Sequence, residues 1–266
     1  MKYIFLIFSL FLLNGCSPTN SDLQFKYYLD RGNDAIADKM AELDVVIIEP
    51  LEMEQKYIDH AQQAGTIILG YVNAMEADRW NLRLYKQLEP NDFYYQKNGE
   101  RLYFKEWDSY ETDITSAHYQ DLLLKEIEEQ ITSRGLDGVF FDTVGNIESF
   151  LPKDEQQAQQ EAITQLMKRV KLAYPNLKIA QNWGFETLRD YTAPYVDYVL
   201  WENFSASIIN DKWSKEMIHA LEEVRQKHGT QVLTISFKDE EESAAIAKQH
   251  QFAHYYHPFG SYYNEW

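Results

Sequence analysis

Eight short β-rich runs, separated by longer segments of helical periodicity, restrict the fold of this chain more than any other feature. The runs are 25–29 (FKYYL), 44–49 (DVVIIE), 66–72 (TIILGYV), 138–142 (GVFFD), 177–182 (LKIAQN), 196–202 (VDYVLWE), 231–236 (QVLTIS) and 251–256 (QFAHYY). Several are apolar along most of their length, the pattern of parallel strands covered on both faces. Between them, residues 53–64 end at Gly65, and 117–133 place Leu122, Leu123, Ile127 and Ile131 on one helical stripe. Residues 155–173 and 212–228 are built alike, the latter closing at Gly229, where a helix C-terminus favours glycine. An open nucleotide-binding sheet would need a G-x-G-x-x-G or G-x-x-x-x-G-K turn, and the chain has neither. Eight units within 266 residues therefore predict an α/β chain folded as a single (β/α)8 TIM-like barrel. Two departures from the ideal are expected. The third connection, 73–137, is too long for one loop and helix and must carry extra structure around FYYQKNGERLYFKEWD. The stretch after the eighth strand leaves room for only a short final helix or none.

The barrel is expected over 23–266, behind a lipoprotein-type signal peptide at 1–15 and a lipidated tether at 16–22. Lys2 precedes an apolar stretch from Tyr3 to Leu13, too short to span a bilayer as a mature helix. It ends in Leu13-Asn14-Gly15-Cys16, which resembles the lipobox cut before a lipid-modified cysteine. Cys16 is the only cysteine, so no disulfide framework exists and lipidation is the expected role of its thiol. The protein is accordingly expected to be secreted across the inner membrane and held at the bacterial cell envelope through Cys16, as a monomer.

With 25 basic and 42 acidic residues, the net charge of −17 argues against nucleic acid as a partner and against a membrane contact other than the lipid anchor. A cationic ligand would be attracted instead, although acidic residues also keep a secreted protein soluble. Aromatic residues make up 15% of the chain, and their faces stack on sugars as well as filling cores.

Active sites of barrels form where the loops leave the C-terminal ends of the strands. The residues there are Glu49, Asn73 with Glu76 just beyond, Asp142, Asn182, Glu202, and His254 with His257. Asp142 closes the fourth strand and Glu202 the sixth, so both face one opening, with Asn182 on the strand between. Two carboxyl groups across a sugar-binding cleft are what glycoside hydrolysis needs: one protonates the leaving oxygen, the other attacks the anomeric carbon or activates water. A strand-terminal acid also serves as a helix cap, so the pair carries the inference and neither member does alone.

These residues resemble a known family. GLDGVFFDTVGN (135–146), YVLWENF (198–204), ILGYVNAMEADRW (68–80) and SYETDITSAHYQDLLLKEI (109–127) are similar to stretches of glycoside hydrolase family 114, the endo-α-1,4-polygalactosaminidase-like barrels of bacteria and fungi. The resemblance implies that Asp142 and Glu202 are the catalytic carboxylates, without assigning acid and nucleophile, and that no cofactor is needed. It implies a cationic amino-sugar polysaccharide as substrate. Glu49, Glu76 and Asp108 are then expected to contact its ammonium or hydroxyl groups, with Asn73 and Asn182 at the strand ends. Tyr28, Tyr71, Trp183, Trp201 and Tyr255 are the stacking candidates. Gly145 stands where the family often carries a second acid, which leaves chain specificity open.

Two other functions fit parts of the pattern. A metal enzyme would use His254 and His257, but three residues apart on a strand they point to opposite faces. A lipid-tethered barrel that binds polysaccharide without cleaving it would use the same acids and aromatics. A serine or cysteine nucleophile is disfavoured, because no G-x-S-x-G occurs and the one cysteine lies in the signal region.

Overall fold

A computed structural model describes residues 22–266. The expected signal peptide, Cys16 and the tether through residue 21 lie outside the described residues. Eleven strands are present among them: β1 (Phe25–Tyr28), β2 (Val45–Ile48), β3 (Ile67–Asn73), β4 (Glu76–Asp78), β5 (Tyr103–Phe104), β6 (Ser109–Glu111), β7 (Gly138–Asp142), β8 (Lys178–Asn182), β9 (Tyr198–Glu202), β10 (Gln231–Ser236) and β11 (Ala253–Tyr256). Eight form one parallel sheet in the order β1-β2-β3-β7-β8-β9-β10-β11, and β4, β6 and β5 form a separate antiparallel sheet. All eight expected barrel strands are present, each within two residues of its expected bounds.

The long third connection carries the small sheet, as its length requires. Among the described residues no helix follows β11; residues 257–266 return across the barrel mouth. The closed barrel is modified at one seam, where no backbone ladder joins β11 to β1 among the described residues. Side chains fill it: the Phe25 ring lies edge-on to Tyr255 at 5.0 Å. The C-terminal segment adds one backbone bond there, from Leu29 N–H to the Tyr263 carbonyl at 2.7 Å.

The twofold periodicity of a strand sorts its side chains into two layers. Phe25, Tyr27, Val45, Ile47, Leu69, Phe140, Ala180, Leu200, Leu233 and Ile235 fill the barrel interior. The alternate residues, Val46, Ile48, Ile68, Val139, Phe141, Ile179, Val199 and Val232, pack outward with apolar residues of the helices. The principal helices there are α1 (Asp34–Met40), α2 (Gln55–Gln63), α4 (Ala117–Gln130), α6 (Lys153–Ala173), α8 (Lys212–His228) and α9 (Glu240–Gln249), with short α3 (Leu82–Tyr85), α5 (Asn146–Phe150) and α7 (Phe185–Thr187) in the loops. Ser116 and Asp211 cap α4 and α8 by accepting backbone N–H bonds. Gly138 begins β7 opposite Lys178 of β8, and a Cβ on it would lie 2.6 Å from the Lys178 carbonyl oxygen. Any side chain there would push β7 and β8 apart and with them the residues at their far ends.

Candidate active site

Counting in steps of two from the interior residues locates the site. From Ile47 the inward parity reaches Glu49, from Leu69 it reaches Tyr71 and Asn73, from Phe140 it reaches Asp142, from Ala180 Asn182, and from Leu200 Glu202. These inward positions at the strand ends surround a cleft of about 790 Å³, into which Glu49, Tyr71, Asn73, Glu76, Asp142, Asn182, Trp183 and Glu202 all face.

At its floor one amide joins the two carboxyl groups. Asn182 Nδ2 donates to Asp142 Oδ1 at 2.7 Å and also to Glu202 Oε1. The two hydrogens of this one amide nitrogen thus hold the two carboxyl groups close together across the floor of the cleft. Asp142 Oδ1 also accepts the Thr143 N–H at 2.8 Å, and Glu202 Oε2 accepts the Tyr263 hydroxyl at 2.5 Å. Burial, and then the charge of Asp142, push the Glu202 carboxyl up to about 7. Burial also raises Asp142, opposed by its donors Asn182 and Thr143 and by the phenols of Tyr71 and Tyr27.

The backbone at this floor is strained. Thr143, Trp183 and Asn203, each directly after one of the three polar strand-end residues, have φ of 61°, 54° and 56°. Left-handed geometry is unfavourable for a β-branched threonine or a bulky tryptophan, and such outliers concentrate at functional sites. It turns each loop sharply away from the strand and leaves the carboxyl or amide at the rim. Thr143 is held there by bonds from its hydroxyl to Asn73 Oδ1 at 2.6 Å and from Met75 N–H at 2.9 Å.

Gly145 belongs to the same construction. A Cβ on it would lie 2.6 Å from Trp183 Cβ, so the absent side chain admits the left-handed tryptophan beside the cleft. The following residue, Asn146, donates from one amide nitrogen to Glu76 Oε1 at 2.9 Å and to Glu111 Oε2 at 2.8 Å. Glu76 and Glu111 are direct cross-strand partners in the small sheet, which this bond fastens to the loop after Asp142.

Four of the expected sugar contacts lie elsewhere. Tyr28 and Trp201 have outward parity: Tyr28 donates to the Arg31 carbonyl, and Trp201 is buried among Phe185, Phe204 and Trp213. Tyr255 turns inward, but its ring is taken up by the seam with Phe25. Asp108 is exposed and bound to Tyr103 at 2.7 Å and Arg79 at 2.9 Å, which hold its carboxyl below the usual range. Of the histidine pair only His254 lies on β11, which ends at Tyr256, and the two have separate partners. Both His254 ring nitrogens meet hydroxyls, Thr234 at 2.8 Å and Ser236 at 3.0 Å, whereas His257 Nε2 donates to the Tyr262 carbonyl at 2.9 Å.

Sequence reasoning missed other residues of the cleft. Tyr27 precedes Tyr28 and has the inward parity, which shows only once an interior residue of β1 is known. Asp78 sits two residues beyond Glu76; burial raises its carboxyl to about 8, opposed by a bond from Asn73 Nδ2 at 3.1 Å. Trp80, Phe104 and Trp107 reach the cleft from the third connection, and Tyr263 from the C-terminal segment. No local periodicity marks these, because Phe104 lies in a strand of two residues and the others come from irregular segments.

The model of glycoside-hydrolase family GH114 matches residues 14–261. Among solved structures, the glycoside hydrolase domain of PelA from Pseudomonas aeruginosa superposes with a TM-score of 0.71 at 15% identity, over 88% of this chain and 93% of that one. Ega3 of Aspergillus fumigatus, solved in complex with galactosamine, gives a TM-score of 0.67 at 14% identity, over 90% and 92%. The α-galactosidase TtGalA of Thermus thermophilus is more distant, with a TM-score of 0.55 at 11% identity over 87% and 57%. At these identities the likeness is one of fold. A search of curated protein sequences gave no significant match.

Proposed function

The chain belongs to glycoside hydrolase family GH114, and from that premise we propose that it hydrolyses an α-1,4-linked galactosamine-type polysaccharide, with Glu202 as proton donor and Asp142 as nucleophile. The observation that carries this assignment is the amide of Asn182 held between the two buried carboxyl groups. Two like charges so close favour a pair holding one proton. The donors around Asp142 stabilise its ionised form, so the proton belongs on Glu202, which burial and the neighbouring charge keep protonated up to about pH 7.

Glu202 gives its proton to the glycosidic oxygen as the C–O bond breaks, and an Asp142 oxygen bonds the anomeric carbon. The departing chain leaves with a hydroxyl, and the remaining chain is held as an ester. Water then loses a proton to the Glu202 carboxylate and displaces Asp142, which restores both groups. Two carboxyl groups bridged by one amide nitrogen support this double displacement, since single displacement needs room for water, about 6.5–9.5 Å.

The acid lining supports the substrate class. Asp30, Glu49, Glu52, Glu76, Asp78, Asp142 and Glu202 line the cleft against Arg31 alone among basic residues; they are acceptors for the ammonium groups of a polymer bearing free amines, whose positive charge favours the ionised form of a carboxyl beside it. The galactosamine in the Ega3 complex supports the same sugar. The test is a reducing-end assay on partly deacetylated galactosamine polymer, with glucosamine polymer as control. New ends are expected from the first only, and proton NMR of the earliest products should show retained anomeric configuration. Binding without cleavage would remove the hydrolase assignment, and an inverted product would remove the ester intermediate.

The proposal also sets the enzyme at the bacterial cell envelope, secreted across the inner membrane and held by lipid on Cys16. The apolar run before Leu13-Asn14-Gly15-Cys16 supports this. Cys16→Ala is expected to abolish incorporation of labelled palmitate and to move the protein from the membrane fraction to the soluble one. Undiminished labelling would rule the anchor out.

A further inference from the structure

Tyr263 lies two residues beyond the stretch matched to the family, yet it reaches the floor of the cleft and is fixed on every side. Its carbonyl accepts the Leu29 N–H at 2.7 Å, tying the C-terminal segment to the end of β1. Its ring is stacked between two others, Tyr27 at 4.0 Å and 24° and His257 at 5.0 Å and 20°. The imidazole of His257 is itself held by the carbonyl of Tyr262. Beyond, Trp266 packs edge-on to Tyr28 at 5.4 Å, under the ammonium groups of Lys26 and Lys39. A residue 5% exposed and so confined has one place for its hydroxyl, and that place is Glu202 Oε2.

We propose that Tyr263 is a positioning residue for the proton donor: with Asn182 on Oε1 and Tyr263 on Oε2, the Glu202 carboxyl is clamped in one plane, and the segment after β11 completes the active site. The proposal rests on the assignment of Glu202 as the acid. A carboxyl on three rotatable side-chain bonds would otherwise swing, and proton transfer requires it within hydrogen-bond reach of the glycosidic oxygen. The phenol also donates to the ionised form and so stabilises it, working against burial and against Asp142. The other groups facing Glu202 are the phenols of Tyr27 and Tyr255 and the amide of Asn182, none of which is charged near neutral pH.

Tyr263→Phe keeps the stacked ring and removes only the donor. In the full chain, carbon-13 NMR of labelled glutamate carboxyls, with Glu202 assigned by its loss in E202Q, should show its titration moved up by about one pH unit in Y263F. On a galactosamine oligomer, kcat should fall about tenfold with KM held, and the basic limb of the pH profile should move up with the carboxyl. Tyr262→Phe, which removes a rim hydroxyl bonded to Glu106 at 3.3 Å, is the control and should change neither. Tyr263→His, which retains a ring and an N–H donor, should restore part of the loss. An unmoved Glu202 titration in folded Y263F overturns the proposal, as does an equal shift in Y262F. If neither Y263F nor Y263H folds, the residue is structural and the proposal falls. The NMR measurement needs no turnover, so a parent protein that cleaves no galactosamine polymer refutes the hydrolase assignment separately.

Discussion

Asp142→Asn lowers kcat on galactosamine polymer by about 10⁴-fold while the chain stays folded and continues to bind the polymer. The amide is close to isosteric with the carboxylate but cannot form the ester, so double displacement stops at its first step; general acid catalysis alone is worth about 10²–10⁴. Binding survives because Glu49, Asp78 and the aromatic residues of the cleft are untouched. Stability should not fall, since the change removes a buried charge beside Glu202. Steady-state kinetics and a thermal melt on the same preparation read both effects. A variant retaining more than about a tenth of parental kcat would exclude Asp142 as nucleophile.

Glu202→Gln should cost about 10²–10⁴ in kcat on polymer, whose leaving hydroxyl must be protonated. On an aryl glycoside with a 2,4-dinitrophenyl leaving group the first step needs no proton, and its rate should be little changed. Equal losses on both substrates would contradict the role of donor. In the parent, activity should fall as pH rises through about 7, because a donor raised to that value is protonated below it and ionised above. At low pH activity falls again as Asp142 takes up a proton. In D142N the neighbouring negative charge is gone, so the Glu202 carboxyl should titrate lower than in the parent. Carbon-13 NMR of the glutamate carboxyls measures that displacement, and a shift upward would contradict the coupling between the two groups.

The strands could be located in the sequence because burial on both faces demands runs of Val, Ile, Leu and Phe, and Asp142 and Glu202 stood out as acids ending such runs. Tyr28 and Trp201 were misplaced for a local reason. Both lie at strand ends among aromatic neighbours, but only strand parity decides the face, and parity cannot be counted until one interior residue is known. Glu49 and Trp183 sit at the cleft as expected. Asp108 is bound to Arg79 and Tyr103, a pairing across an irregular connection that no spacing reports.

By itself the sequence determined the eight-stranded parallel architecture, the strand bounds and the choice of acids, because these depend on periodicities of two and 3.6 and on residue type. Tertiary structure decided the rest: that one asparagine amide joins the two carboxyl groups, that the segment after β11 bonds to the end of β1 beside the barrel seam, and that a tyrosine 61 residues after Glu202 reaches its carboxyl. These contacts unite groups far apart along the chain, and their geometry exists only after the barrel has curled and brought its strand ends together.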